Sequence, residues 1–408
     1  MSEVATQPRI LWVTAQAPDH RTGGGNIRQA HLLTALAERA AVDLILVGRL
    51  RDDAVRRSVE TVVEVADPPG GRDARWATTL RSLGAAVISR RPDEVRYLAD
   101  ARRALAPLVQ REASYDLVNL EHAGLAPLVP RRRTSPWAIT LHNIGSRWAA
   151  QAAATASGLR SARLRVEQRR SAALERRIMA GFDVVVVPSA ADAELLPGSA
   201  AVVPNGVDID SFRPTPVPSS TRLVFTGTLG YRPNADGLAW FCAEVLPLVR
   251  ASCPSVTLDI VGSQAGEAVR ALNSLPGVQL HEDVPAVQPY LDAGRVAIVP
   301  LRIGTGTRLK ALEAMAAGRP VAGTTVGLEG LGLVPGRHAM VADPPAELAN
   351  QIVALLEDDE LARRFAVAGR SFVETRFDWR AIGSAYAELL VRASRRPART
   401  GRATGVRA

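Results

Sequence analysis

The stretch LRIGTGTRLKALEAMAAGRPV, residues 301–321, holds the only lysine of the chain, Lys310, three positions ahead of Glu313. On a helix that spacing puts an ammonium and a carboxylate on one face. Such a pair suits a ligand that is anionic at one end and rich in hydroxyls at the other: the cation takes up phosphate charge, and the carboxylate accepts hydrogen bonds. The turn before it contains Thr305, Gly306 and Thr307. A glycine there lets backbone approach a ligand closely, and free N–H groups at a helix start attract phosphate. Arg308 and Lys310 fall in the first helical turn, where the helix dipole disfavours cations. Two cations so placed make sense if an anion sits beside them. The alternative is an exposed helix with a Lys–Glu pair worth about 0.2–0.5 kcal/mol.

A strand, RVAIVPL, must deliver this turn, and a helix ended by Gly318 and Pro320 must follow it. The same order recurs throughout: short β-branched apolar runs alternate with Ala/Leu/Arg-rich helical stretches, the pattern of βαβ units and parallel sheets. In the first half strands are predicted at 9–15, 41–48, 61–66, 115–121, 137–142 and 182–189, and in the second at 221–227, 255–262, 278–281, 295–301 and 338–343. Between them lies PNGVDIDSFRPTPVPSST, whose Pro, Gly, Asp and Ser content reads as a linker. The fold expected is therefore α/β, two doubly wound Rossmann-like domains facing across a deep cleft. The divisions expected are 8–205, a linker 206–220, a second domain 221–376, a C-terminal helix 377–393 returning to the first domain, and a disordered basic tail 394–408.

Further candidates sit at the predicted strand ends. Gly23, Gly24 and Gly25 follow the first strand and open a helix, with Arg28 one turn in. This is not G-x-G-x-x-G, and the second strand ends LVGRLRDD without an acidic ribose partner, so a dinucleotide site is disfavoured. His142 ends the strand in ITLHNIGSRW, and Glu121 and His122 end the one before; each could equally be a satisfied structural residue. Asn205 and Gly206 make a turn, and Gly227, Thr228, Arg232 and Asn234 follow the first strand of the second half. The seven arginines between 160 and 177 read as a solvated helix face.

The whole-chain composition narrows the classes. Net charge is +9 with almost all of the 50 basic residues Arg, but the charge is spread out, with no zinc-finger spacing or aromatic RNA-binding motif, so nucleic acid is not an expected partner. Cys242 and Cys253 have no His near them, and two buried thiols in a reducing compartment are expected. No apolar run approaches the ~20 residues of a membrane span, and ILWV is too short for a signal peptide; cytoplasm is the default. Peripheral membrane contact through the arginine-rich helix is a minor alternative.

Taken together, RILWVTAQAPDHRTGGGNIRQAHLLTALA, VVPNGVD, LVFTGTLGYRPNADGLAWFCAEVLPLVR, LDIVGS and GTGTRLKALEAMAAGRPV, in this order, resemble a family-4 glycosyltransferase of the GT-B fold. The resemblance implies a nucleotide-diphosphate sugar as co-substrate in the second domain and a hydroxyl acceptor (glycan, lipid-linked or small molecule) in the first. It implies transfer with retention, without metal or other cofactor. Glu313 would hold the ribose, Lys310 and Arg308 the leaving diphosphate, and His142 would lie near the transferred sugar. Gly24, Gly25, Gly227, Thr228, Arg232, Asn234, Gly262, Thr305, Gly306 and Thr307 would line the ligand. Two positions depart from the family pattern. Thr305 stands where the first glutamate of E-x7-E would be, and Gly227-Thr228 replaces a Gly-Arg pair. An inverting transferase using Asp19 or His20 as base, a sugar-nucleotide epimerase, and a non-catalytic nucleotide-sugar-binding protein are the alternatives.

Overall fold

The computed structural model describes residues 7–21, 24–66, 92–110, 112–130, 132–154, 156–304 and 308–398. Gly23, Thr305, Gly306 and Thr307, and the tail from 399 on, lie outside the described residues. The chain forms two compact units, one built by the chain up to Pro204 together with the segment from Arg380 on, the other by Asn205–Trp379.

The first unit is a parallel sheet of β1 (Arg9–Thr14), β2 (Ala41–Val47), β3 (Thr61–Val65), β4 (Leu117–Glu121), β5 (Trp137–Thr140), β6 (Val184–Val187) and β7 (Ala201–Val202), in the order β3-β2-β1-β4-β5-β6-β7. From Ile10 to Thr14 every residue of β1 is fully buried, as a strand covered on both faces requires. Helix α1 (Gly24–Ala37) follows β1, and α2 (Gly145–Ala154) and α3 (Gly158–Gly181) lie between β5 and β6. Most of the α3 arginines are exposed, whereas Glu167, Leu174, Glu175 and Ile178 on its other side are buried. A further helix, α6 (Trp379–Ser394), belongs to this unit from Arg380 on. Its Tyr386 is fully buried edge-on to Trp12, and Gly383 packs so closely on α1 that an added Cβ would stand 2.5 Å from Ala35. The returning C-terminal helix expected from the sequence is thus observed.

In the second unit β8 (Arg222–Thr228), β9 (Thr257–Ser263), β10 (Val278–Glu282), β11 (Val296–Val299), β12 (Val321–Gly323) and β13 (Met340–Val341) form a parallel sheet ordered β10-β9-β8-β11-β12-β13. Alternation along β8 sends Leu223 and Phe225 into one apolar cluster and Val224 into another, one on each face. Helix α4 (Arg232–Trp240) follows β8, and α5 (Leu309–Ala316) follows β11.

Each sheet reverses its winding once, between β1 and β4 and between β8 and β11, and ligands of doubly wound sheets gather at the strand carboxyl ends of such switch points. The two sheets also share a device that the sequence shows no sign of as a repeat. Arg9 and Arg222, each the first residue of its lead strand, donate to a buried aspartate, Asp43 at 2.9 Å and Asp259 at 3.0 Å. Each aspartate sits third in the next strand and is bonded again from the one beyond, by Thr61 and His281.

The Pro-rich segment 206–220 is held to the second unit by three arginines that donate to its carbonyls. Arg370 reaches Phe212 at 2.7 Å and Ile209 at 3.3 Å, and Arg295 reaches Pro218 at 3.1 Å. Arg319, fully buried, reaches the Thr215 carbonyl and hydroxyl and the Pro216 carbonyl. Replacing Arg319 by methionine strands these acceptors and the buried carbonyls of Ala317 and Gly294, which Arg319 also reaches at 3.3 Å each. It should lower stability by about 3 kcal/mol, read as a fall in the urea midpoint at unchanged slope.

Candidate functional site

Lys310 stands near the start of α5, the helix that follows β11. Its Nζ donates to Asn234 Oδ1 at 2.6 Å and lies 4.1 Å from the centroid of the Phe225 ring. Asn234, in the first turn of α4, is fixed in turn by donating Nδ2 to the Thr228 carbonyl at 2.7 Å. Two helix starts, from α4 and α5, therefore flank one ammonium group at the switch point of the second sheet. Gly227 takes φ +148°, and a Cβ there would stand 2.9 Å from Lys310 Nζ and 3.1 Å from Asn234 Nδ2. Both the backbone conformation and the space call for glycine at this position.

The electrostatics of the pair are poised rather than settled. Burial and the neighbouring Arg308 charge bring Lys310 down to about 7, against the pull of Glu313. Burial likewise pushes Glu313 up to about 7, against the pull of Lys310. Both groups are half-buried, and Lys310 hydrogen-bonds Asn234 rather than Glu313. The Lys310 Nζ is thus not tied up in a direct hydrogen bond to Glu313. An arriving anion restores the ammonium, which a cation in a low-dielectric site favours strongly.

The remaining expected residues are placed unevenly. Arg308 is buried at the N-cap of α5, with Nε and Nη2 donating to the Val326 carbonyl at 3.1 and 3.0 Å. Arg232 is exposed at the first position of α4. Gly262 lies in β9 opposite Gly227, and a Cβ on it would stand 1.8 Å from the Gly227 carbonyl, so it supports the Gly227 backbone from behind.

In the first unit, His142 Nε2 is 2.7 Å from Glu121 Oε2, just beyond the carboxyl ends of β5 and β4. Gly25, at the start of α1, lies beside the ring nitrogen: an added Cβ would be 3.7 Å from Nδ1. His122, at φ +79°, stacks on His142 with centroids 4.2 Å apart. Burial pushes Glu121 up and both imidazoles down, toward the neutral form of each. Gly24, Gly25, Glu121, His122 and His142 thus gather at one switch point. Arg28 does not face it as a ligand group; it is buried and donates to the Val203 and Pro204 carbonyls at 2.7 and 2.9 Å. The start of α2 is not an anion site either, because Glu175 already accepts from Ser146 N at 2.9 Å.

Nearby, His20 Nδ1 is 2.8 Å from Asp52 Oδ2, and His20 N donates to the same oxygen at 2.9 Å. Burial raises Asp52, yet the bonds from His20 and Val55 outweigh it and hold the carboxyl at about 2. Sequence reasoning missed Asp52 and Phe225. Asp52 was legible as an N-cap, since its Oδ1 accepts from Ala54 N and Val55 N ahead of a short helix. Phe225 looks like any other core residue of a strand.

Two doubly wound sheets with these switch points have the GT-B fold. The structure matches HepE from Anabaena, solved with UDP and glucose, at a TM-score of 0.63 and 18% identity over 94% of this chain and 99% of that one. It matches TarM of S. aureus at 0.69 and 10% identity over 97% and 100%. The chain carries two glycosyltransferase family domains: residues 22–211 match the model described as Glycosyltransferase Family 4, and residues 220–358 the one described as Glycosyl transferases group 1. A phosphatidyl-myo-inositol mannosyltransferase of Mycobacterium tuberculosis is 32% identical over 210 residues, 47% of this chain and 53% of the relative. The chain spans about half the length of the curated relatives it matches. Among the described residues no helix is long and apolar enough to cross a membrane.

Proposed function

We propose that this chain is a cytoplasmic hexosyltransferase that moves a sugar from a nucleotide-diphosphate donor to an acceptor hydroxyl, with retention and without a metal. The observation that carries the reading is Lys310 Nζ, fixed at 2.6 Å from Asn234 between two helix starts and beside the left-handed backbone of Gly227. The ammonium takes up the charge that develops on the diphosphate as the glycosidic C–O bond breaks. Glu313 accepts from ribose hydroxyls, and His142 meets a hydroxyl of the sugar or acceptor. The acceptor hydroxyl attacks from the leaving-group face and its proton passes to the departing phosphate oxygen, so no side chain need act as base. The test is a panel of UDP-, GDP- and ADP-sugars, first by thermal shift and then by turnover with anomeric NMR of the product. An α-linked donor should give an α-linked product at a rate unchanged by EDTA; a β-linked product would refute retention.

A second reading, inversion, is favoured by the His20–Asp52 pair, a histidine polarised by an ionised carboxylate as general bases are. His20→Ala discriminates the two. Under retention, turnover stays within about threefold, whereas loss of a general base costs about 10²–10⁴-fold.

Donor binding should depend on pH with a sign fixed by the pair. Bound diphosphate favours the Lys310 ammonium, so binding takes up a proton once pH exceeds about 7, and affinity then falls by up to about tenfold per unit. Ribose hydroxyls favour the Glu313 carboxylate, which is lost as pH falls through about 7. Affinity for a nucleoside diphosphate measured calorimetrically should therefore peak near neutrality, and Lys310→Met should abolish the alkaline limb.

A further inference from the structure

We infer that Glu121 is the positioning residue that fixes the tautomer of His142, so that Nδ1 offers a lone pair to a hydroxyl of the sugar or acceptor. This rests on the role given to His142 above. Glu121 is fully buried at the end of β4, and both its oxygens are engaged: Oε2 with His142 Nε2 at 2.7 Å and Oε1 with Asn119 Nδ2 at 3.0 Å. Asn119 is itself fully buried, two residues back on the same strand.

The groups around the carboxyl decide which partner carries the shared proton. Arg28, fully buried nearby, and the Asn119 donor both favour the carboxylate, and the Arg28 charge disfavours an imidazolium. His122 and Tyr386 complete the titratable surroundings. The Tyr386 phenol, 3.4 Å from Thr140 Oγ1, stays protonated through burial, and His122 stays neutral through burial and its neighbour His142. Burial raises the Glu121 carboxyl to about 7 against these groups; above that pH a carboxylate faces a neutral imidazole and one arrangement remains: Nε2–H donates to Glu121, and Nδ1 carries no proton.

That Nδ1 lies toward the start of α1, where the side-chain-free Gly25 is its neighbour: even an added Cβ would be 3.7 Å away. The ring cannot swing away. His122 covers one face, and His122 in turn contacts Gln29, 3.4 Å from its Nε2, while Gln29 accepts from Thr14 at 2.7 Å. The site therefore presents a fixed hydrogen-bond acceptor, suited to a substrate O–H and unsuited to a substrate acceptor at the same point.

Glu121→Gln tests this with almost no change in shape. Asn119 donates to the Oε1 position, so the new amide oxygen stays there and its NH₂ faces His142 Nε2. An amide donor requires an unprotonated Nε2 and so moves the ring proton to Nδ1, turning the acceptor into a donor. The readout is ¹⁵N NMR of the histidine-labelled full chain, with His142 assigned by its loss in His142→Asn. At about pH 8.5 to 9, above the raised Glu121 value of about 7, wild type should show Nε2 protonated and Nδ1 bare, and Glu121→Gln the reverse. Transfer should fall about 100-fold, as losses of ring-orienting partners do, with nucleoside diphosphate affinity unchanged within about twofold. A wild-type spectrum with Nδ1 protonated overturns the inference without need of any variant. An unchanged tautomer in Glu121→Gln overturns it while leaving the role of His142 intact. A reversed tautomer with undiminished transfer overturns the role of His142, and the inference with it.

Discussion

Lys310→Ala should lower kcat/KM for transfer by about 10³-fold while the protein keeps its unfolding midpoint within about 1 kcal/mol of wild type. The size follows from what the ammonium is asked to do. In the unliganded chain it rests on one amide oxygen and an aromatic face, contacts that contribute little to stability. In the transition state it faces a diphosphate gaining charge in a site walled by Phe225 and Gly227, where a lost donor costs far more than in water. Arginine should rescue poorly, because the Cβ gap at Gly227 is cut to a primary ammonium. Glu313→Ala, by contrast, should act mainly on donor affinity. Steady-state kinetics on both variants would separate the two roles, and near-normal turnover in Lys310→Ala would remove the basis for the site.

Gly262→Ala should cost about 3 kcal/mol or more and lower the unfolding midpoint of the second unit by roughly 6–12 °C. The added methyl would stand 1.8 Å from the Gly227 carbonyl and 3.0 Å from Leu229 Cγ. The first obstacle is backbone near the carboxyl end of the β8–β9 ladder, where Gly227 and Gly262 are register partners, so no side-chain rotation relieves it. The ladder must separate, and Gly227 moves away from Lys310 as it does. Reduced donor affinity in whatever folded protein remains should accompany the loss of stability. Gly266→Ala is the control: nothing lies within 4 Å of its Cβ position, and its φ of −80° suits alanine. Calorimetry of both variants checks the contrast.

Much of the fold was legible because parallel strands buried on both faces leave a coarse signal, a β-branched run bounded by turns. Runs such as DLILV and VVVV give the strands β2 and β6 within two residues at either end. The strands β12 and β7, three and two residues long, went unread, because so short a segment shows no period and VAG follows a helix terminator directly. The site was legible in its residue types and hidden in its contacts. One lysine among arginines, after a glycine turn and before a glutamate, marks a ligand site. Only the folded chain shows that Lys310 leans on Asn234 and Phe225, each more than seventy residues earlier in the sequence. Arg308 carried the same sequence signal as Lys310, yet its guanidinium is bonded to the Val326 carbonyl. Spacing on a helix fixes which face a long side chain leaves from, and neighbours it meets by tertiary packing decide where it ends. Glu121 and His142, ambiguous one at a time, become a pair because adjacent parallel strands bring their ends together.

The most direct measurement is a structure of the full chain with a nucleotide-diphosphate sugar that gives a thermal shift. The account predicts diphosphate oxygens about 3 Å from Lys310 Nζ, the ribose hydroxyls on Glu313, and the phosphates over the Gly227 backbone. A donor seated elsewhere, with Lys310 still on Asn234 and Glu313 facing water, would contradict it.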